Sequence, residues 1–159
     1  MSEFRVTRDY PYPAQRVWRA LTDPGLVPLW TSTGQGGRPE GFSPTVGNRF
    51  RFVAKPTMGW RGIVDCEVVE VRAPHLLRYT WVGDEGDKPS VVAYRLAPQA
   101  GGTRFTWEHT GFTGVGGFAM SRLLKSVREK MLTDALPAVL RDIDDNGVLS
   151  RTSTLRAEG

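Results

Sequence analysis

The stretch GGTRFTWEHTGF (residues 101–112) decides the fold, because it closes a series of alternating segments and leads directly into the long C-terminal helical pattern. Its apolar row consists of Phe105, Trp107 and His109, and polar residues stand between and beside them. A period of two is typical of a strand with one buried face and one solvent-exposed face. The stretch therefore predicts a sheet covered on one side only, with a histidine at the end of the apolar row.

The same alternation recurs upstream and predicts an antiparallel sheet of about six strands. The predicted strands cover residues 3–10, 46–53, 57–74, 76–83, 90–98 and 101–112. The third is longer than a typical strand, and its alternation changes phase near Val68 and Val69. A phase change of this kind indicates a β-bulge. Until the bulge is located, the sequence leaves open which way Asp65 and Glu67 point.

Helical patterns stand before and after the sheet. Two short helices are predicted between the first two strands, AQRVWRALT after Pro13 and then LVPLW. From residue 118 to 143 apolar residues recur every three or four positions, which predicts one long amphipathic helix that covers the sheet. The positions on its predicted buried face are Met120, Leu123, Leu124, Val127, Met131, Ala135, Val139 and Ile143. Pro137 should kink or divide this helix.

Composition limits the classes of function. The chain has 159 residues, the size of one domain, and we predict a single domain over residues 1–146 with a flexible tail over 147–159. The formal charge is +4, but the basic residues are scattered among acidic ones, so no nucleic-acid partner is expected. No apolar run approaches 18 residues, which argues against membrane insertion. The charged start and the single Cys66 favour a cytoplasmic protein.

The short motifs predict neither a cofactor nor a metal site. GVGGFA (residues 114–119) satisfies a dinucleotide-binding pattern, but it precedes the last helix and lacks the required parallel βαβ unit. We interpret its glycines as a hinge or a close helix–sheet contact. His75 and His109 have no metal-ligand spacing to Cys66 or a carboxylate, and we interpret Cys66 as structural.

Three segments carry a resemblance to a known superfamily: YPYPAQRVWRALTDPGLVPLW near the start, VVEVRAPHLLRYTW in the middle, and GGTRFTWEHTGF. With them the chain resembles START-like proteins, the helix-grip superfamily that includes lipid-transfer domains, birch-pollen-allergen-like proteins and polyketide cyclases. Within it, the chain is most similar to the branch homologous to the heat-shock-protein ATPase activator. The resemblance spans residues 4–140. It implies an α+β fold in which a curved antiparallel sheet grips the C-terminal helix.

The resemblance also implies a ligand cavity between sheet and helix, for a hydrophobic or aromatic small molecule such as a lipid or polyketide. The candidate wall residues are Trp30, Phe50, Phe52, Trp60, Tyr79, Trp81, Tyr94, Phe105, Trp107, His109 and Met131. His109 either orients a polar ligand atom or is a buried histidine satisfied by a neighbour.

Three functions stay open at this point. The first is a binding protein for such a molecule. The second is a cyclase or dehydratase on the same cavity, using Tyr79, Tyr94, His109 or an inward carboxylate. The third is an interaction module that stimulates a chaperone ATPase. The oligomeric state is expected to be a monomer or a homodimer.

Overall fold

The fold consists of one antiparallel sheet and the C-terminal helix that packs on it. The computed structural model describes residues 2–31, 37–56, 61–83 and 88–155. Seven strands form a curved sheet in the order β1-β7-β6-β5-β4-β3-β2. They are β1 (Ser2–Tyr10), β2 (Arg38–Glu40), β3 (Arg49–Val53), β4 (Ile63–Arg72), β5 (Leu76–Val82), β6 (Ser90–Gln99) and β7 (Gly102–Phe112). The predicted α+β helix-grip fold is confirmed.

The seventh strand is the short β2, which lies where the sequence predicts a loop or short extended pieces. It pairs with β3 at the edge of the sheet, with Pro39 opposite Phe52. Three residues are too few to show a period of two, and a proline is tolerated only at such an edge. The two short helices are confirmed as α1 (Ala14–Thr22) and α2 (Val27–Thr31).

The predicted bulge in the long strand is also confirmed. The register between β4 and β5 shifts between Val68 and Glu70. Val68 is fully buried, whereas Val69 is exposed. Before the bulge, Asp65 and Glu67 therefore point away from the helix, and the intervening Cys66 points inward and is buried.

The C-terminal helix is divided near Pro137, as predicted. α3 (Gly114–Lys130) continues through a π-helical turn (Met131–Ala135) into α4 (Leu136–Asp142). Pro137 stands in the first turn of α4, directly after the π turn, which is a position where a helix tolerates proline. The Tyr10 hydroxyl donates a 2.7 Å hydrogen bond to the Leu132 carbonyl and anchors this turn to β1.

The buried face of α3 differs by one position from the predicted face. Met120 and Leu123 are exposed, so the prediction that they face the sheet was wrong. The buried residues before the turn include Ser121 and Arg128. The π turn contains one extra residue. A helical period that fits the apolar residues after the turn therefore does not fit the residues before it.

The segment after α4 packs back against the domain. Leu149 forms a bridge with Ile143, and the Ser153 hydroxyl donates a 2.9 Å hydrogen bond to the Asp142 carboxylate. Contacts therefore cross the predicted boundary between domain and tail at residue 147, and the flexibility of the tail stays a prediction. In the described ranges no helix is both long and apolar enough to cross a membrane.

Candidate functional site

The inner face of the sheet carries most of the predicted wall residues. Trp81 is half-buried, and Trp60 lies outside the described residues. The others are buried: Trp30, Phe50, Phe52, Tyr79, Tyr94, Phe105, Trp107, His109 and Met131. Their role in ligand binding stays a prediction.

Aromatic rings form a continuous row across the inner face. The Phe50 and Tyr79 ring centres are 5.3 Å apart, the Tyr79 and Tyr94 centres 5.6 Å, and the Tyr94 and Trp107 centres 4.8 Å. Trp30 packs edge-on against Trp107 at 5.8 Å. Edge-to-face pairs of this kind stabilise the arrangement beyond the area that they bury. Nine of the eleven predicted residues are thus buried, and the rings among them form one aromatic layer.

Met131 is separated from this layer. It lines a groove of about 220 Å³ together with Leu29, Ala135 and Leu155. A larger groove of about 620 Å³ lies beside β3 and β4 and is lined by Glu40, Gly41, Arg49, Phe50, Arg51, Asp65 and Cys66. Phe50 is the member of the inner aromatic layer that borders the larger groove, and neither groove is lined by Tyr79, Tyr94, Phe105 or Trp107. The predicted cavity between sheet and helix stays a prediction.

The histidine at the end of the apolar row belongs to a chain of buried polar contacts. His109 Nδ1 is 3.0 Å from Arg128 Nη1, and His109 Nε2 is 2.7 Å from Ser90 Oγ. Arg128 can only donate, so Nδ1 accepts and Nε2 carries the proton that it donates to Ser90. Ser90 Oγ in turn donates to the Trp81 carbonyl at 3.2 Å. These contacts define a neutral histidine with both nitrogens engaged.

The electrostatics agree with this assignment. Burial, and next the charge of Arg128, lower the pKa of His109 to about 2. Burial also lowers the pKa of Arg128. A guanidinium starts from so high a pKa that it remains charged at neutral pH.

Arg128 is a buried cation without an acidic partner. Its side chain is buried, and none of the acidic residues in the described part of the chain is buried. Aromatic rings take the place of a carboxylate. The guanidinium carbon lies 4.6 Å from the Trp107 ring centre, 4.7 Å from that of Trp81 and 5.6 Å from that of Phe4. Cation–π contacts offset part of the cost of burying the charge.

Two donors beside this cage have no partner among the described residues. They are Arg128 Nη2 and Trp107 Nε1, and both are buried. A buried donor without an acceptor costs about 1–3 kcal/mol. Such atoms in a folded protein call for an explanation, and an acceptor from outside the chain is one.

The remaining inward groups do not favour proton transfer. Burial raises the pKa of Tyr79, of Tyr94 and of the Cys66 thiol, so all three stay protonated at neutral pH. The Tyr79 and Tyr94 hydroxyls are 3.0 Å apart and share one hydrogen bond. Among the described residues no group of His, Cys, Asp and Glu side chains could hold a metal ion.

The three strand carboxylates considered for catalysis lie on the outer face. Glu108 pairs with Arg5 at 3.4 Å and with Arg95 at 3.3 Å. Asp65 pairs with Arg51 at 3.2 Å and Glu67 with Arg49 at 3.1 Å. The alternation of the last strand already predicts this position for Glu108. None of the three can act as a base on a molecule bound at the inner face.

Sequence reasoning missed Arg128 and Ser90. Arginine on an amphipathic helix is normally a solvent residue, so the pattern assigned the neighbouring Val127 to the buried face. One signal was present: Leu124, Arg128 and Leu132 are spaced by four residues and share one face. Ser90 stands at the start of its strand, where a serine is equally compatible with a turn.

Comparisons with known proteins agree with this architecture. The family described as "Activator of Hsp90 ATPase homolog 1-like protein" matches residues 11–140. The structure of protein MLL2253 from Mesorhizobium loti is 31% identical, with a TM-score of 0.66, and the match covers 82% of this chain and 93% of that one. Mll3558 from Rhizobium loti is 25% identical, with a TM-score of 0.68 and coverage of 86% and 95%.

CalU16 from Micromonospora echinospora shares the fold at 22% identity, with a TM-score of 0.62 and coverage of 87% of this chain and 74% of that one. The comparison with functionally curated proteins finds no match. The matched residues include α1 to α3, most of α4 and every strand except β1, and therefore all of the aromatic layer and the His109–Arg128 pair. The chain belongs to the family of Activator of Hsp90 ATPase homolog 1-like proteins.

Proposed function

We propose that the protein is a cytoplasmic binding protein for a hydrophobic or aromatic small molecule, held between the inner face of the sheet and α3. The observation that carries the proposal is the pair of buried donors, Arg128 Nη2 and Trp107 Nε1, that the described residues leave unpaired. Binding sites combine an apolar wall with a few convergent polar groups. The aromatic layer supplies the wall, and the two donors supply the polar groups.

The beginning of α3 is the route by which such a molecule would enter. Phe118 and Leu123 are exposed, and few of the residues before Arg128 are buried. A helix segment with little buried apolar surface opens at low cost in free energy. Its two ends also suit a hinge, because Gly114 has a φ of 72° and the π turn follows Lys130.

The cyclase or dehydratase alternative receives less support from the geometry. General acid–base catalysis needs a group whose pKa lies near the working pH. His109 is held neutral with both nitrogens engaged, and burial raises the pKa of Tyr79 and Tyr94. A site of this kind holds and orients a molecule more readily than it exchanges protons with it.

We expect the freshly purified protein to carry a hydrophobic molecule, or to be stabilised by one. Native mass spectrometry, followed by organic extraction of the bound material, would detect the first. A thermal unfolding panel of lipids and aromatic compounds would detect the second, since a ligand at 100 times its Kd adds about 2.7 kcal/mol. A protein that carries nothing and gains no stability from any compound would contradict the proposal.

A chaperone partner is a second candidate, and one observation favours it. Phe118, Met120 and Leu123 are exposed apolar side chains near the start of α3, and exposed apolar patches often mark protein contacts. If this is the function, the protein will raise the ATPase rate of an Hsp90-class chaperone, and Leu123→Ser will reduce that effect. An unchanged ATPase rate at saturating protein would eliminate this candidate.

A further inference from the structure

We propose that the bound molecule is an anion, a small aromatic carboxylate, whose oxygens accept hydrogen bonds from Arg128 Nη2 and Trp107 Nε1. This inference rests on the proposed binding function and specifies its ligand. It assigns to Arg128 the role of the binding residue and to His109 and Ser90 the role of positioning residues.

The first argument is the charge balance of the interior. Arg128 brings a full positive charge into an apolar layer, and the described acidic residues all lie outside that layer. An unpaired buried charge is much more costly than an unpaired neutral donor. The three rings around the guanidinium compensate only part of that cost. A neutral ligand would leave the charge unbalanced, whereas a carboxylate would neutralise it.

The second argument is that the guanidinium has a fixed orientation. His109 Nδ1 accepts from Nη1 at 3.0 Å, and the His109 ring is itself held through Ser90 to the backbone of β5. Because one end of the guanidinium is held by a neutral acceptor, its charge is not cancelled and Nη2 remains available. An acidic residue in place of His109 would have neutralised Arg128. The contact therefore orients the cation and leaves its charge free for a ligand.

The third argument is the geometry of the donors. The guanidinium carbon lies over the Trp107 ring at 4.6 Å, so the two side chains that carry the unpaired donors Trp107 Nε1 and Arg128 Nη2 are in direct contact. The Tyr79 and Tyr94 hydroxyls share one hydrogen bond, so the proton of one of them is left for another acceptor. The positive charge of Arg128 also acts electrostatically on both phenols. Donors without a nearby acceptor are the arrangement that binds an anion.

The test compares two probes of the same shape, 2-naphthoate and its neutral analogue 2-naphthamide, by isothermal titration calorimetry. We expect wild-type protein to bind 2-naphthoate at least about tenfold more tightly, because a hydrogen bond to a charged group is worth more than a neutral one. Arg128→Met should abolish that preference. Arg122→Met, on the exposed side of the same helix, should retain it. Trp107→Phe should weaken 2-naphthoate binding by about threefold to tenfold.

The outcomes separate the two proposals. Equal affinity of wild-type protein for the two probes would overturn the anion inference and leave the proposed function standing. Failure of the wild type to bind either probe would overturn both for aromatic ligands. The wild-type ratio decides the matter even if Arg128→Met does not fold. A preference that survives in a folded Arg128→Met protein would show that Arg128 is not the binding residue.

Discussion

Replacing Leu132 by alanine will lower the free energy of unfolding by about 2–5 kcal/mol, the usual cost of a leucine-to-alanine change in a packed core. Leu132 is fully buried in the π turn, and its carbonyl accepts the Tyr10 hydroxyl bond that ties this turn to β1. The substitution removes three carbons from a site that the fixed turn cannot collapse to fill. Urea denaturation followed by circular dichroism would measure the change.

Leu123→Ala is the matched control, because the same substitution is made on the same helix. Leu123 is 60% exposed, so its truncation should change the free energy of unfolding by no more than about 0.5 kcal/mol. The pair also tests the placement of Arg128, which lies one turn before Leu132 on the same face. Equal effects of the two substitutions would mean that α3 has the predicted phase and that Arg128 faces solvent.

The strands show how much of the fold a sequence can specify. Phe105, Trp107 and His109 alternate with polar residues because a strand turns successive side chains to opposite faces, and no long-range information is needed to see this. The break in alternation at Val68 and Val69 located the bulge for the same reason. The short β2 could not be predicted, because its three residues become a strand only through pairing with β3.

The site was predictable only in part, and the residues that the sequence pattern did not place are polar. Aromatic residues on a covered face are expected to be buried, so Tyr79, Tyr94 and Trp107 could be placed in advance. The burial of Arg128 could not be predicted, because it depends on an aromatic cage built from three different strands. The π turn at Met131–Ala135 also changes the phase of the helix between Arg128 and the residues of α4. A sequence pattern that assumes 3.6 residues per turn cannot anticipate that offset.

The position of His109 makes the protein acid-sensitive. Its pKa is about 2 in the folded protein, against 6.5 for an ordinary histidine, so the unfolded chain binds a proton that the folded one excludes. The free energy of unfolding is therefore greatest above pH 6.5 and falls as the pH decreases. Between pH 7 and pH 4.5 the loss due to His109 should be about 2.5 kcal/mol, from about 1.4 kcal/mol per pH unit below the unfolded pKa.

His109→Asn separates this loss from the titration of the surface carboxylates, which contribute in both proteins. Asparagine places a neutral acceptor near the position of Nδ1, so Arg128 retains a partner, and no imidazole is left there to bind a proton.

Parallel urea titrations from pH 7 to pH 4.5 should show that the free energy of unfolding declines more steeply in the wild type than in His109→Asn. His75→Asn is the matched control, because it removes an imidazole from an exposed residue in the turn between β4 and β5. Equal slopes for wild type and His109→Asn would mean that the folded protein accepts a proton on His109. Because Nδ1 accepts the hydrogen bond from Arg128 Nη1, such a proton would also break the contact between the two side chains.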